Sequence, residues 1–275
     1  MTRDLSTDEL AAYQRDGVVR IKNAVSQQWI DSLTMVVEGQ LENPSRWVND
    51  ANPDASTNRM FTDRYQWRSN AVIKNYVFES GIGQLAAHAM QSDAARFYFD
   101  HTLVKEPGTQ AITPWHQDLP YWPFRGKQIC SIWLALTDTT VAESAMEFVR
   151  GSHAQEIYYL PEVFGDRDEH PADWIREGEG EPIPDVENHR EDYDIIGWDM
   201  EAGDVVIFSA WLLHWAPGNE SAHRRRAAIS TRWLGDDAVW HPHPGADPTV
   251  TQDHVSLAPG DLAHDDEVFP LVWPP

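Results

Sequence analysis

Short apolar or alternating runs, separated by Pro, Gly and Asp, set the pattern of the chain from Phe97 onward. Phe97–Lys105, Ile129–Leu136, Val205–Phe208 and Ala227–Leu234 have the length of strands and are bounded by turn-forming residues. That texture predicts a β-sandwich or jelly roll, a mainly β fold. The N-terminal forty residues read differently. Ser6 and Glu9 fit a capping box, in which hydroxyl and carboxylate satisfy N–H groups that open a helix, and Leu10 and Tyr13 begin an apolar helical face. Gly17 breaks this pattern, Val18, Val19 and Ile21 predict a strand, and a second helix is expected from about Ser26 to Leu41. Residues 43–70 are rich in Asn, Asp, Pro, Ser and Arg and predict a long loop, with Trp47, Tyr65 and Trp67 in or beside it.

At 275 residues, with no internal repeat and no linker, the chain is expected to form one domain over 1–275. Between about Glu156 and Glu201 lie sixteen acidic residues against three arginines, with several Pro and Gly. This stretch is expected to be an insertion over one end of the barrel and a candidate lid, with a solvated acidic loop of no functional importance as the competing reading. The net charge of −23 would repel phosphate backbones, which argues against nucleic acid as a partner. No run has the length and apolarity of a membrane span, and MTRDLSTDEL lacks the basic-then-apolar pattern of a signal peptide. The single cysteine, Cys130, cannot form an internal disulfide, so a cytoplasmic location is expected. The sequence sets no oligomeric state.

Chemistry concentrates in TPWHQDLPYWP, Thr113–Pro123. In an extended strand, residues two apart share a face, so His116 and Asp118 are expected to reach one metal ion together. Two protein ligands are too few, and a third is expected from GDVVIFSAWLLHWAPGN, an apolar strand leading to His214. Two imidazoles and one carboxylate on one side of an iron(II) leave three positions for a bidentate 2-oxoacid and dioxygen. His-x-Asp alone is common, and most of the 12 histidines must be surface or structural. The order gives the pattern its weight: His-x-Asp, a distal His after a Gly-Asp strand, then the arginines of HRRRAAISTRW. An arginine there can hold the far carboxylate of 2-oxoglutarate in a bidentate fork. For Arg224, Arg225 and Arg226 a basic surface patch is the competing reading, and it must hold for at least one of them.

Several ordered motifs together resemble the phytanoyl-CoA dioxygenase family of iron(II)/2-oxoglutarate oxygenases. They are the Leu5–Ile21 pattern with its Asp16-Gly17 turn, Val104–Gly108, Trp115–Asp118, Trp133–Leu136, Glu147–His153, and His214, Asn219, Ser221 with the arginine strand. The resemblance implies a double-stranded β-helix with helices packed on one side, metal ligands His116, Asp118 and His214, and iron(II), 2-oxoglutarate and dioxygen as reactants. It places the 2-oxoglutarate arginine on Arg226 if the last strand is aligned, or on Arg225 if spacing from His214 is counted. Arg226 is preferred, because Ala228 and Ser230 share its face and leave room for the diacid. Trp133 matches a position beside 2-oxoglutarate in relatives, although it would serve equally as a core residue; His153 is expected to be structural. Where relatives often carry a hydroxyl two residues after the distal histidine, this chain has Ala216. Asp118 sets it apart from related halogenases, which have a small residue there, and favours hydroxylation or another C–H oxidation.

The family's substrates include acyl-CoA thioesters, ectoine-type amino acids, phosphonates and secondary metabolites, so a small molecule is expected. Tyr121, Trp122, Phe124 and Trp215, close in sequence to the ligands, are candidates to line an apolar substrate pocket, or equally to fill the core. The rival readings are a metal-binding cupin-like protein without oxygenase activity and a metal-dependent hydrolase or isomerase on the same scaffold.

Overall fold

The computed structural model describes residues 4–55, 57–161 and 180–275. Helix α1 (Thr7–Asp16) opens with the expected capping box and closes at Gly17, whose φ of 77° lets its N–H reach the Tyr13 carbonyl. Strand β1 (Val18–Ile21) follows, then α2 (Gln27–Glu42). The expected loop at 43–70 instead contains a hairpin, β2 (Asn49–Ala51) with β3 (Met60–Arg64). Two further helices, α3 (Ala71–Glu79) and α4 (Ile82–Met90), lead into the long β4 (Ala95–Lys105). The remaining strands are β5 (Thr113–His116), β6 (Phe124–Arg125), β7 (Ile129–Ala135), β8 (Glu147–Val149), β9 (Ile195–Gly197), β10 (Val205–Ser209), β11 (His214–Ala216), β12 (Arg226–Leu234), β13 (Val239–Trp240) and β14 (Leu271–Trp273).

The larger sheet runs β1-β10-β7-β12-β4-β3-β2, with β14 also on β4; the smaller runs β5-β11-β8-β9. Every pairing in both is antiparallel. The fold is a mainly β jelly roll with its helices on the outer face of the larger sheet.

Period-two alternation sorts the central strands between two environments. On β7, Cys130, Ile132 and Leu134 join Leu33, Val37, Ile73, Val77 and Leu85 of the helices in one apolar cluster. Trp133 and Ala135 turn the other way and pack with Phe148, Phe208 and Ala228. On β12, Ala227, Ile229 and Trp233 face the helices, while Arg226, Ser230 and Arg232 line a cavity on the inner face.

The two ends of the acidic stretch behave as ordinary structure. Leu160 N–H donates to the Glu181 carbonyl at 2.8 Å and Glu181 N–H to the Tyr158 carbonyl at 2.8 Å, and β9 extends the smaller sheet. Residues 162–179, the middle of the expected lid, lie outside the described residues.

Candidate active site

The ligand cluster grows from the smaller sheet. His116 on β5 and His214 on β11 are paired across the ladder, with ring centroids 4.1 Å apart. Asp118 does not continue β5, as the sequence led us to expect. It adopts a helical conformation (φ −72°, ψ −39°) and opens a single 3-10 turn, Leu119–Tyr121, in whose first residues Pro120 is well tolerated. Gln117 between the ligands is buried and ties this bend down: its amide donates to the Ile157 and Trp211 carbonyls, and its oxygen accepts from Tyr159 N–H. The ligand atoms of His116, Asp118 and His214 therefore still converge, all within 4.8 Å of one another.

Tautomers follow from the neighbours. His116 Nδ1 lies 2.8 Å from the Pro114 carbonyl and His214 Nδ1 2.9 Å from the Leu212 carbonyl. A carbonyl only accepts, so both ring protons sit on Nδ1 and both Nε2 atoms carry the lone pair. Each Nε2 is 3.9 Å from Asp118 Oδ1. The other carboxylate oxygen, Oδ2, accepts a 2.5 Å hydrogen bond from Ser131 and lies 3.6 Å from Arg232 Nε. Burial and the neighbouring His214 drive His116 down to about 3, and burial likewise lowers His214. Burial alone would raise Asp118, but Arg232, the two histidines and the Ser131 hydroxyl hold it at about 2. Two neutral imidazoles and one ionised carboxylate are the donor set that a divalent iron requires.

A cavity of about 410 Å³ opens beside this cluster. Arg226 enters it from β12, buried, and bonds only weakly to Ser144 Oγ and the Leu103 carbonyl, each at 3.3 Å. Burial lowers it to about 10, so it stays charged at neutral pH, yet it has no carboxylate partner among the described residues. Arg225 points to the opposite side, is 31% exposed, and pairs with Glu38 and Glu106. Trp133 and Ser230 both line the cavity, and the Trp133 ring is 5.9 Å from the Arg226 guanidinium. Tyr121, Trp122 and Trp215 line it too, whereas Phe124 packs in a separate apolar cluster. His153 packs against Gly17 and does not line the cavity.

The connection that delivers Arg226 is held by buried polar groups. Asn219 donates to the carbonyls of Lys105 (2.9 Å) and Arg224 (2.7 Å), and the buried Lys105 Nζ donates to the Pro217 carbonyl at 2.5 Å. Gly218 approaches so closely that a Cβ there would come within 2.2 Å of the Thr109 carbonyl. Ser131, Arg232, His101 and Thr113 also stand at the site without a motif in the sequence to mark them. Ser131 shares the inner face of β7 with Trp133, which the alternation of that strand makes readable. Thr113 is the ladder partner of Ala216 and lines the cavity, placing a hydroxyl on the strand next to the missing one.

The family model described as "Phytanoyl-CoA dioxygenase (PhyH)" matches residues 13–227. A "Probable phytanoyl-CoA dioxygenase" of Caenorhabditis elegans is 24% identical over 249 residues, covering 85% of this chain and 76% of the relative. Among solved structures, the non-heme alpha-ketoglutarate-dependent carbocyclase SnoK from nogalamycin biosynthesis superimposes with a TM-score of 0.74 at 24% identity, over 98% of this chain and 96% of its own. The epimerase SnoN, in complex with Fe3+, alpha-ketoglutarate and nogalamycin RO, gives 0.70 at 22% identity, over 96% and 97%.

Proposed function

The chain belongs to the phytanoyl-CoA dioxygenase family, and from that premise we propose that it oxidises a C–H bond of a small organic molecule, releasing succinate and carbon dioxide from 2-oxoglutarate. It is a 2-oxoglutarate-dependent dioxygenase that uses iron(II) and dioxygen. The observation that carries the finer reading is the presence, in one cavity, of the three-ligand cluster and a buried arginine that pairs with no carboxylate among the described residues. A mere metal holder has no use for the second, and burying an unpaired guanidinium is costly unless an anion joins it.

Bound iron supplies the oxidising chemistry, drawn from dioxygen and the 2-oxoacid. The protein's part is to hold and exclude. His116 and His214 present Nε2, each oriented by the carbonyl that receives its Nδ1 proton. Asp118 offers Oδ1 while Ser131 keeps Oδ2 occupied. Arg226 would receive the far carboxylate of the 2-oxoacid, with Trp133 against its guanidinium and Ser230 further along the same face. Tyr121, Trp122 and Trp215 would hold the substrate and displace water. SnoK and SnoN are named for ring closure and epimerisation, so the oxidised product need not be an alcohol.

Loaded anaerobically with iron(II) and 2-oxoglutarate, the protein is expected to show a weak visible charge-transfer band. His116→Ala and His214→Ala should each abolish it. Full-strength bands in both variants would overturn the ligand set. Admitting air with the right substrate should release succinate in proportion to substrate consumed.

A further inference from the structure

Two segments of the cavity wall have no task in that scheme. The β2–β3 hairpin contributes Asn49, Met60, Thr62 and Arg64, and the loop after β13 contributes Pro244 to Pro248. Among the described residues that line the cavity, the exposed ones are Asn49, Pro244 and Pro248. The mouth therefore lies between the hairpin and the loop.

The loop has one side fixed. Asp247 N–H donates to the Tyr121 carbonyl at 2.7 Å, and His243 Nε2 lies 3.1 Å from the Trp122 carbonyl, which ties the loop to the turn that follows Asp118. Asp247 Oδ1 accepts from the N–H and hydroxyl of Thr249, so the same carboxylate shapes the loop from within. Across the mouth the only ion pair among the described residues that joins loop to hairpin is Arg64 Nε with Asp247 Oδ2, at 3.1 Å. The Arg64 N–H is not aligned for a hydrogen bond to it. Within the same hairpin Arg59 holds Asp50 by two bonds, of 2.9 and 2.6 Å. The pair across the mouth is held by charge without that fork, and is correspondingly weaker. Its side chains are 19% and 12% exposed, so water can serve each partner when they part. Behind it lie Arg226 and the ligand cluster, in the same cavity.

We propose that Arg64 and Asp247 form the latch of an entrance strap. Residues 243–249 part from β3 to admit 2-oxoglutarate and substrate, then close behind them and shut out water. The proposal rests on the oxygenase reading of the cavity.

The test is the rate of 2-oxoglutarate binding, followed by the charge-transfer band in anaerobic stopped-flow mixing with iron(II)-loaded protein. The dependence of the observed rate on 2-oxoglutarate concentration gives association from its slope and dissociation from its intercept. A latch slows entry and exit by one factor. Its removal, in Arg64→Met or in Asp247→Asn, should therefore raise both rates at least about threefold and leave the equilibrium affinity unchanged. Electrostatic steering of a dianion gives a different signature: association falls when the arginine is lost, rises when the aspartate is lost, and dissociation shows no matching rise. Either variant thus carries the test alone if the other does not fold. Association rates that move in opposite directions overturn the proposal, as do unchanged rates in both variants. Faster dissociation alone, with weakened affinity, also overturns it, since that would make the pair a direct contact of the diacid. Wild-type protein that gives no band at any 2-oxoglutarate concentration would instead sink the oxygenase reading itself.

Discussion

Arg225 and Arg226 are neighbours in sequence and lie on opposite sides of a sheet. Arg226→Ala should weaken 2-oxoglutarate binding by about 2–5 kcal/mol, the usual cost of leaving a buried charge without its partner. Arg225→Ala breaks the pairs with Glu38 and Glu106 at a partly exposed position and should cost about 0.2–1 kcal/mol of stability. It should leave 2-oxoglutarate affinity unchanged. Titration calorimetry of both variants decides, and the reverse ranking would show that spacing from His214 governs the anchor. Which of the two arginines faces the cavity was legible in the sequence, because Ile229 and the small pair Ala228 and Ser230 differ so plainly in bulk. Arg232 was not. It stands on the same alternation, but nothing in a linear reading says that Asp118 approaches it from another sheet. Asp118 itself was found for a partly wrong reason: the strand ends at His116, and a bend held by Gln117 brings the carboxylate round.

At the scale of elements, the strands with strong apolar content were readable within a residue or two, as were the first two helices. The hairpin of β2 and β3 was hidden because Asn49-Asp50-Ala51 and the half-buried Met60–Arg64 carry the polarity of a loop. These residues pair because β4 offers an edge, not because of their own propensity. The segment between β11 and β12 is a similar case, ordered by tertiary bonds to Asn219. Asn219→Ala leaves the buried Lys105 carbonyl and the part-buried Arg224 carbonyl without this donor and should lower stability by about 1–3 kcal/mol in urea unfolding. Because this segment sets where β12 begins, 2-oxoglutarate affinity should fall as well. A variant with wild-type unfolding midpoint and wild-type affinity would deny the residue that role.

For the whole molecule, the site makes the metal-free protein sensitive to acid. His116 has a folded value of about 3 against an ordinary 6.5, so between these limits the unfolded chain binds the extra proton. Its contribution to stability is complete above pH 6.5 and is lost as the pH falls toward 3. Asp118, held at about 2 against 3.8, acts in the same direction at lower pH. Asp100 acts oppositely: burial raises it to about 6, so the folded protein holds its proton more tightly and that term favours the folded state on acidification. Denaturant unfolding of metal-free protein between pH 7 and 4, compared with His116→Asn, isolates the histidine. The wild type should lose up to about 1.4 kcal/mol per pH unit more than the variant. Parallel pH profiles would show that His116 is not held neutral by the fold.

The 5.9 Å approach of Trp133 to the Arg226 guanidinium also has an optical consequence. An indole's emission responds to the electric field across its ring, and here a buried cation stands beside the ring whose charge the proposed diacid would neutralise. Occupation of Arg226 by a carboxylate should therefore shift the intrinsic fluorescence of the unlabelled protein. The signal should persist in Trp122→Phe and vanish in Trp133→Phe, even against the twelve other tryptophans of a chain that has 13. The enzyme would thus carry its own reporter, one that answers to the diacid without metal oxidation or turnover.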